Sequence, residues 1–337
     1  MRITTNAILR NYKSNLGNSM AALNVARNKV MTGRQFSSAA ENPAAALRSS
    51  ILERKYVKTL DHISSAKDAQ SFLESQESAA MQISDLALIL TKQYGLEAFN
   101  GTNGTEEVRN TYADAWRSAQ ESLILSLNSS YEGKYVFAGS DGKNPPFALS
   151  TDANGKQILT YRGLDVNDPA NMAKLDELAK DSTYIDLGFG LTTDNNGNID
   201  PSSAFNTSLP GLNLVGYGQN ADGTTKNMVL LAGEIADCLE KEPFDKAEYE
   251  KLLNSFEDGR NAVLEEVTTL GTKSSFLENS MERLEDNKLN LSTQLDNVVN
   301  IDMADAITQF SWAQYAYNAA LKVGTNILSP SFIDFMN

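Results

Sequence analysis

Apolar residues near the C-terminal end of the chain recur at alternating steps of three and four residues. This 3.5-residue repeat is typical of a helix that packs lengthwise against another helix. A second row, formed by Ile307, Gln314, Leu321 and Leu328, widens the apolar stripe beyond a narrow contact line. We call the main row the C-terminal seam; it consists of Met303, Ala306, Phe310, Ala313, Tyr317, Ala320, Gly324 and Ile327.

The same stretch carries few charges. From residue 301 to 337 the charged side chains are Asp302, Asp305, Lys322 and Asp334, and the polar remainder is mostly Ser, Thr, Asn and Gln. A helix that meets water usually has a charged face there, so a helix this poor in charge is expected to be covered on several sides. The cover must come from elsewhere in the chain or from other copies of it.

The N-terminal end has a matching pattern, which we call the N-terminal seam. Its charges are basic up to Glu41, whereas the C-terminal segment has three Asp and one Lys. We expect the two ends to pair. Exposed ion pairs contribute only about 0–1 kcal/mol each, so the seams must supply the adhesion while the charges help to set the alignment. Each helix would bury one stripe, which makes the pair marginal in a free chain. The N-terminal seam consists of Leu9, Tyr12, Leu16, Ser19, Leu23, Ala26 and Val30.

Further long helices are predicted inside the two ends. In the linker at 33–43, Gly33 suits a helix C-cap and Pro43 suits the first position of the next helix. Helical periodicity then runs from 44 to about 93 and, after Thr105, to about 129. Another three-four series runs from Val267 to Val298, and Asp302 could cap a new helix after a joint.

The middle of the chain is different. Tyr135-Val-Phe-Ala and Ile158-Leu-Thr-Tyr-Arg flank a turn-rich stretch, which indicates a hairpin or two-hairpin layer. The predicted fold is mainly α with a β-rich insertion: long coiled-coil-like helices from both termini packed together, a β-hairpin layer and a small, mostly β outer domain. The expected domains are 1–42 with 300–337, then 43–165 with 240–299, and 166–239.

Composition excludes several classes of partner and site. A net charge of −14 argues against nucleic acid or an anionic membrane surface. The single cysteine, Cys238, excludes an intramolecular disulfide, and no apolar run reaches the roughly 18–20 residues of a membrane span. The N-terminal sequence lacks the pattern of a conventional signal peptide. We therefore expect a cytoplasmic protein or one exported by another route.

Candidate catalytic and metal-binding residues are sparse. His62 is the only histidine, so a catalytic triad or a multi-histidine metal site lacks its parts. The sequence 194–200 resembles a calcium loop, but Phe205 stands where an EF-hand has its bidentate glutamate. We assign no catalytic, cofactor-binding or metal-binding residue and expect no enzymatic activity. The alternative from another class is an enzyme or ligand-binding module within 166–239.

Several motifs resemble the flagellin superfamily. Residues 33–43 are similar to the loop between its first two helices. The stretch Gly133-Lys-Tyr-Val-Phe-Ala-Gly-Ser140, followed by Asn144-Pro-Pro-Phe147, resembles the hairpin of the superfamily's hook–filament junction proteins. Residues 301–310 and 327–335 resemble the C-terminal segment of those proteins. The resemblance covers about 1–165 and 240–337.

This resemblance implies a structural subunit of the bacterial flagellum, with a flagellin filament subunit as the alternative. It implies a homo-oligomeric ring between hook-associated protein 1 and flagellin, type III export to the extracellular flagellum, and a cytoplasmic chaperone that holds the C-terminal segment. We expect the assembly interface to include both seams and the second row, specifically Leu9, Tyr12, Leu16, Leu23, Val30, Met303, Ile307, Phe310, Tyr317, Leu321, Ile327 and Leu328.

Overall fold

Long helices make up most of the chain. The computed structural model describes residues 2–97, 105–152, 155–195, 197–220 and 223–333, and the side chains of 2–5, 96 and 326–333 lie outside that description. The α-helices are α1 (Arg2–Thr32), α2 (Pro43–Ile89), α3 (Gly95–Glu97), α4 (Glu106–Leu127), α5 (Met172–Ala179), α6 (Gly211–Val215), α7 (Met228–Glu240), α8 (Lys246–Val299) and α9 (Met303–Ile333). A π-helical turn, Leu90–Tyr94, follows α2, and a 3-10 turn, Pro169–Asn171, precedes α5.

The helix ends follow the sequence signals. Gly33 closes α1 in a left-handed conformation with φ of 67°, where its N–H donates to the Lys29 carbonyl at 2.9 Å. Pro43 opens α2, and the Asn42 side chain accepts from the Ala45 N–H at 3.1 Å. Asp302 caps α9 by accepting from the Ala304 N–H at 2.8 Å. These predicted boundaries are therefore confirmed.

The strands are short and antiparallel. One ribbon joins β1 (Ser130–Tyr131) to β2 (Lys134–Tyr135), and a three-stranded sheet has the order β3 (Phe147–Thr151), β4 (Gln157–Tyr161), β5 (Leu164–Asp165). In that sheet Phe147 lies opposite Tyr161 and Thr151 opposite Gln157. A second ribbon pairs β6 (Tyr184–Ile185) with β7 (Phe205–Asn206).

Two compact units can be recognised in the chain. The terminal unit comprises Met1–Leu60 and Glu285–Asn337, and the central unit comprises Asp61–Leu284. The principal hydrophobic core lies in the central unit, where the Trp116 ring meets the Phe256 ring edge-on with centroids 4.9 Å apart. The predicted fold class, mainly helical with paired terminal helices and small antiparallel sheets, is confirmed. The three-part domain division stays a prediction.

After Tyr135, the last residue of β2, the Tyr-Val-Phe-Ala motif continues as a buried turn rather than as a longer strand. Val136 and Phe137 are buried, and their carbonyl oxygens are taken by side chains: Gln76 donates to Val136 at 2.6 Å and the Tyr161 hydroxyl donates to Phe137 at 3.0 Å. The Gly211 N–H also donates to the Phe137 carbonyl, at 2.9 Å. Because buried carbonyls must be hydrogen-bonded, these partners allow the turn to enter the core.

Residues 166–239 contain less strand than the turn-rich sequence suggested. Their strands are the two-residue pair β6 and β7, whereas α5, α6 and most of α7 supply helix. The Gly- and Asn-rich stretches form tight turns closed by single bridges, Thr193 to Ile199 and Gln219 to Thr225. Their side chains satisfy nearby backbone groups, so these segments need no neighbouring strand.

Candidate assembly interface

The two seams lie on the buried sides of the α1–α9 pair. Ala26, Ala306 and Gly324 are buried, and most other seam residues are half-buried. Leu9 and Met303 are more open, at 42% and 45% exposure. The side chains of Ile327 and Leu328 lie outside the described residues. The half-buried members are Tyr12, Leu16, Ser19, Leu23, Val30, Phe310, Ala313, Tyr317 and Ala320.

The second row of α9 remains in contact with solvent. Ile307 is 50% exposed and Leu321 is 41% exposed, although both are large apolar side chains. The pairing of α1 with α9 therefore covers the C-terminal seam from Ala306 to Gly324 but leaves Met303 and this row open. The structure thus separates the predicted interface residues into those that face the partner helix and those that are available to other molecules.

A third apolar row on α9 was not predicted from the sequence. Trp312, Tyr315 and Val323 are 70%, 72% and 52% exposed. At 100° per residue Tyr315 projects from the side of α9 opposite to Gly324, and Trp312 and Val323 lie about 100–120° from Gly324, on the flank away from the second row. The low charge of this helix, which predicts cover on several sides, was the signal that could have found them. In a chain alone, this much exposed aromatic surface on one helix is unfavourable.

The linker that follows α1 is hydrogen-bonded to the joint between α8 and α9. We call this end of the α1–α9 pair its base. The Gln35 N–H donates to the Val299 carbonyl at 2.7 Å, and the Ile301 N–H donates to the Gly33 carbonyl at 3.0 Å. These bonds form an isolated antiparallel bridge between Arg34 and Asn300. The predicted joint near 297–302 is therefore present, and it is tied to the linker that follows α1.

No charged contact is found between the described side chains of the two terminal helices. In the parts of α1 and α9 whose side chains are described, no ion pair joins one helix to the other. Arg10 instead donates to the carbonyl of Asn6, within its own helix. The expectation that opposite charges set the alignment therefore finds no contact in the described pair.

The terminal unit has little core and much exposed apolar surface. Among its described residues only four apolar side chains are buried, namely those of Ala26, Leu52, Val298 and Ala306. Of the twenty-three exposed large apolar side chains in the described chain, sixteen belong to this unit although it is the smaller one. The seven in the central unit are Met81, Leu88, Ile89, Leu125, Phe189, Leu191 and Phe276.

The other candidate residues serve local structure. The His62 ring Nδ1 lies 3.0 Å from the Asp186 carbonyl oxygen, and Gly188 packs against the ring. In the 194–200 loop the Asp194 carboxylate accepts from the Asn198 N–H at 2.8 Å, and the Asp200 carboxylate accepts from the Ser202 N–H at 3.0 Å. These carboxylates thus stabilise turns. Within the described ranges no cluster of three or more His, Cys, Asp or Glu has a metal-binding arrangement.

The last residue of the stretch 133–140, Ser140, is also fixed by contact with a charged side chain. The Asp181 carboxylate accepts from the Ser140 N–H at 3.0 Å and from the Arg162 guanidinium at 3.1 Å. Burial raises the pKa of Asp181, but the hydrogen bonds from Ser140 and the charge of Arg162 outweigh it, so the net pKa is lowered. The carboxylate form therefore fixes the end of the buried turn.

Comparison with known proteins agrees with this architecture. Residues 3–141 match the family model of the bacterial flagellin N-terminal helical region. Flagellar hook-associated protein 3 of Salmonella typhimurium is 21% identical over 337 residues, which cover 97% of each chain. The chain resembles flagellar hook-associated protein 3. The Escherichia coli protein of that name is 20% identical, again with 97% of each chain covered.

Solved structures share the fold. A putative flagellar hook-associated protein from Vibrio parahaemolyticus aligns with a TM-score of 0.60 and 18% identity, covering 77% of this chain and 100% of that one. FlgL from Xanthomonas campestris aligns with a TM-score of 0.51 and 14% identity, covering 73% and 99%. No helix in the described ranges is both long and apolar enough to cross a membrane.

Proposed function

We propose that this chain is a structural subunit of the bacterial flagellum that forms the junction between the hook and the flagellin filament. One observation carries the proposal: the terminal unit leaves sixteen large apolar side chains exposed, while its own described core is small. Apolar surface of this extent on long helices is stabilised when other copies cover it. The family match and the full-length similarity to hook-associated protein 3 indicate which assembly supplies those copies.

In this assembly the seams and the open rows have separate roles. The N- and C-terminal seams hold α1 against α9 within one subunit. The second row, with Ile307 and Leu321, and the third row, with Trp312 and Tyr315, contact neighbouring copies. The interface residues predicted from sequence are thus proposed to act in two layers, with Leu9, Tyr12, Leu16, Leu23, Val30, Met303, Phe310, Tyr317 and Ile327 in the first and Ile307, Leu321 and Leu328 in the second.

The proposed partners follow from the same role. Copies of the chain form a ring that binds hook-associated protein 1 on one side and flagellin on the other, outside the cell. Export follows the flagellar type III route, and a cytoplasmic chaperone covers the C-terminal segment before export. The exposed α9 rows support the need for such cover, because they would otherwise promote aggregation. The role is structural and needs no catalytic group.

Binding to isolated hooks tests this proposal. Purified chain is mixed with hooks that carry hook-associated protein 1 and with hooks from which that protein has been removed, and the bound fraction is measured by co-sedimentation. We expect saturable binding to the first preparation only. Failure to bind either preparation would contradict the junction role. Growth of long filaments by the chain alone would support the alternative, a flagellin filament subunit, for which the flagellin-type N-terminal region is the relevant observation.

A further inference from the structure

Among the side chains that the structure describes no ion pair joins α1 to α9, so another contact is needed to fix the alignment of the two helices. A helix seam in which small residues recur every seven residues permits more than one axial alignment, because a slip of two helical turns moves each small residue onto another. The C-terminal seam has such a repeat, because Ala306, Ala313 and Ala320 are seven residues apart and alternate with larger residues. A contact that allows only one alignment therefore has to involve a residue that occurs once.

Tyr12 of α1 and Gly324 of α9 make such a contact. A Cβ atom on Gly324 would overlap the hydroxyl end of the Tyr12 ring and would lie 3.1 Å from Cε1 of that ring. The tyrosine thus lies directly over the glycine backbone. Gly324 is buried and Tyr12 is half-buried. The ring therefore fills a depression that exists because position 324 has no side chain.

No other position of α9 offers this depression. Gly324 is the only glycine in the helix. A slip of one turn, about 5.4 Å, would place Tyr12 over Ala320 or Leu328, and a slip of seven residues would place it over Tyr317 or Ser331. Each of these residue types has a Cβ atom where the ring must lie. The contact therefore distinguishes the observed alignment from those one turn away on either side.

The same alignment satisfies the bridge at the base of the pair. Tyr12 and Gly324 stand almost equally far along the chain from Arg34 and Asn300, the two residues joined by that bridge. One antiparallel register thus accommodates a backbone contact at one end and a ring-on-glycine contact near the other. One contact is a backbone bridge and the other is side-chain packing, and both are formed in the same register.

The low helix propensity of glycine supports a specific role for Gly324. Glycine in a helix interior is less favourable than alanine by about 1 kcal/mol. At Gly17 of α1, a Cβ atom would have no neighbour within 4 Å, so that cost has no compensating contact. At Gly324 the ring of Tyr12 compensates for it. Gly17 and Gly324 are therefore a matched pair, alike in helix position and different in surroundings.

We propose that Tyr12 and Gly324 determine the axial register of the α1–α9 pair. Tyr12 acts as a positioning residue, and Gly324 supplies the single position that accepts its ring. This inference concerns one chain and does not depend on whether copies assemble.

Hydrogen exchange of the full-length chain at low temperature tests the proposal, with amides of α1 and α9 followed by mass spectrometry. Gly17→Ala is expected to slow their exchange by up to about fivefold, as the helix propensity of alanine requires. Gly324→Ala is expected to accelerate it, because the new methyl group displaces Tyr12. Tyr12→Leu combined with Gly324→Ala removes the overlap and is expected to exchange more slowly than Gly324→Ala alone.

The opposite result overturns the proposal. If Gly324→Ala slows exchange as Gly17→Ala does, the ring moves aside freely and does not set the register. If the double variant exchanges as fast as Gly324→Ala, the two residues are not coupled. If the amides of α1 and α9 show no protection from exchange in the unsubstituted chain, the pair is not formed in the free chain and the proposal is wrong. Hook binding is measured separately, so its loss alone bears only on the proposed function.

Discussion

Aspartate at two exposed positions of α9 should strongly weaken assembly and leave the subunit folded. Ile307 and Leu321 are 50% and 41% exposed and belong to the row that α1 does not cover. In a free chain, aspartates there remain hydrated, so the α1–α9 pair and the central unit should keep their stability. In an assembly, neighbouring copies would have to bury both carboxylates.

The size of the effect follows from the exposure of these side chains. Full burial of an isoleucine or leucine side chain contributes about 1.5–3 kcal/mol, so covering the half that is open contributes roughly 0.7–1.5 kcal/mol at each position. Burying an unpaired carboxylate opposes binding by several kcal/mol more. A combined loss of at least about 3 kcal/mol weakens binding on the order of 100-fold.

Co-sedimentation with hooks that carry hook-associated protein 1 measures this loss, and circular dichroism checks the fold. Leu191→Asp is the matched control, because Leu191 is similarly exposed at 46% but lies in the central unit. The control is expected to bind normally. If the Ile307→Asp, Leu321→Asp variant binds hooks as tightly as the unsubstituted chain, the second row is not an interface and the reasoning is refuted.

Three further predictions address the two units separately. Phe310→Asp should remove the exchange protection of α1 and α9 as well as hook binding, because Phe310 is half-buried in the seam, while unchanged protection would contradict its placement there. Gly211→Ala should lower the free energy of unfolding by about 1–3 kcal/mol in urea titrations, since its Cβ would lie 2.5 Å from the Phe147 ring, and an unchanged midpoint would count against this packing. The pKa of Asp181 is lower in the folded chain than in the unfolded chain, where it is about 3.9. The carboxylate therefore stabilises the fold above that pH, and this contribution is lost as the pH falls through the folded-state pKa. The Asp181→Asn variant has no such contribution to lose, so its free energy of unfolding should fall less than that of the unsubstituted chain as the pH drops below about 4. An equal fall in both proteins would argue against the contact.

The sequence was informative where periodicity determines structure. The repeat from Met303 to Gly324 predicted both the helix and its partner, because a 3.5-residue seam can be buried only by another lengthwise helix. Gly33, Pro43 and Asp302 marked helix ends through backbone preferences that act locally. Long elements and their boundaries could therefore be predicted from neighbouring residues alone.

Features that depend on distant partners could not be predicted. Tyr135-Val-Phe-Ala has the composition of a strand, yet it forms a buried turn because Gln76 and Tyr161, far along the chain, satisfy its carbonyls. Similarly, Gly324 looks like a weak point in a helix until Tyr12 is placed over it. The exposure of Trp312 could be determined only once α1 had been assigned to the opposite side of α9.

The emission of Trp312 tests most directly whether neighbouring copies cover the terminal helices. The chain has two tryptophans: Trp116 is fully buried in the central core, whereas Trp312 is 70% exposed. Binding to hooks that carry hook-associated protein 1 should shift the emission to shorter wavelength, and Trp312→Phe should remove the shift without preventing binding. An emission spectrum that stays unchanged while the chain binds would contradict the burial of this face in the assembly.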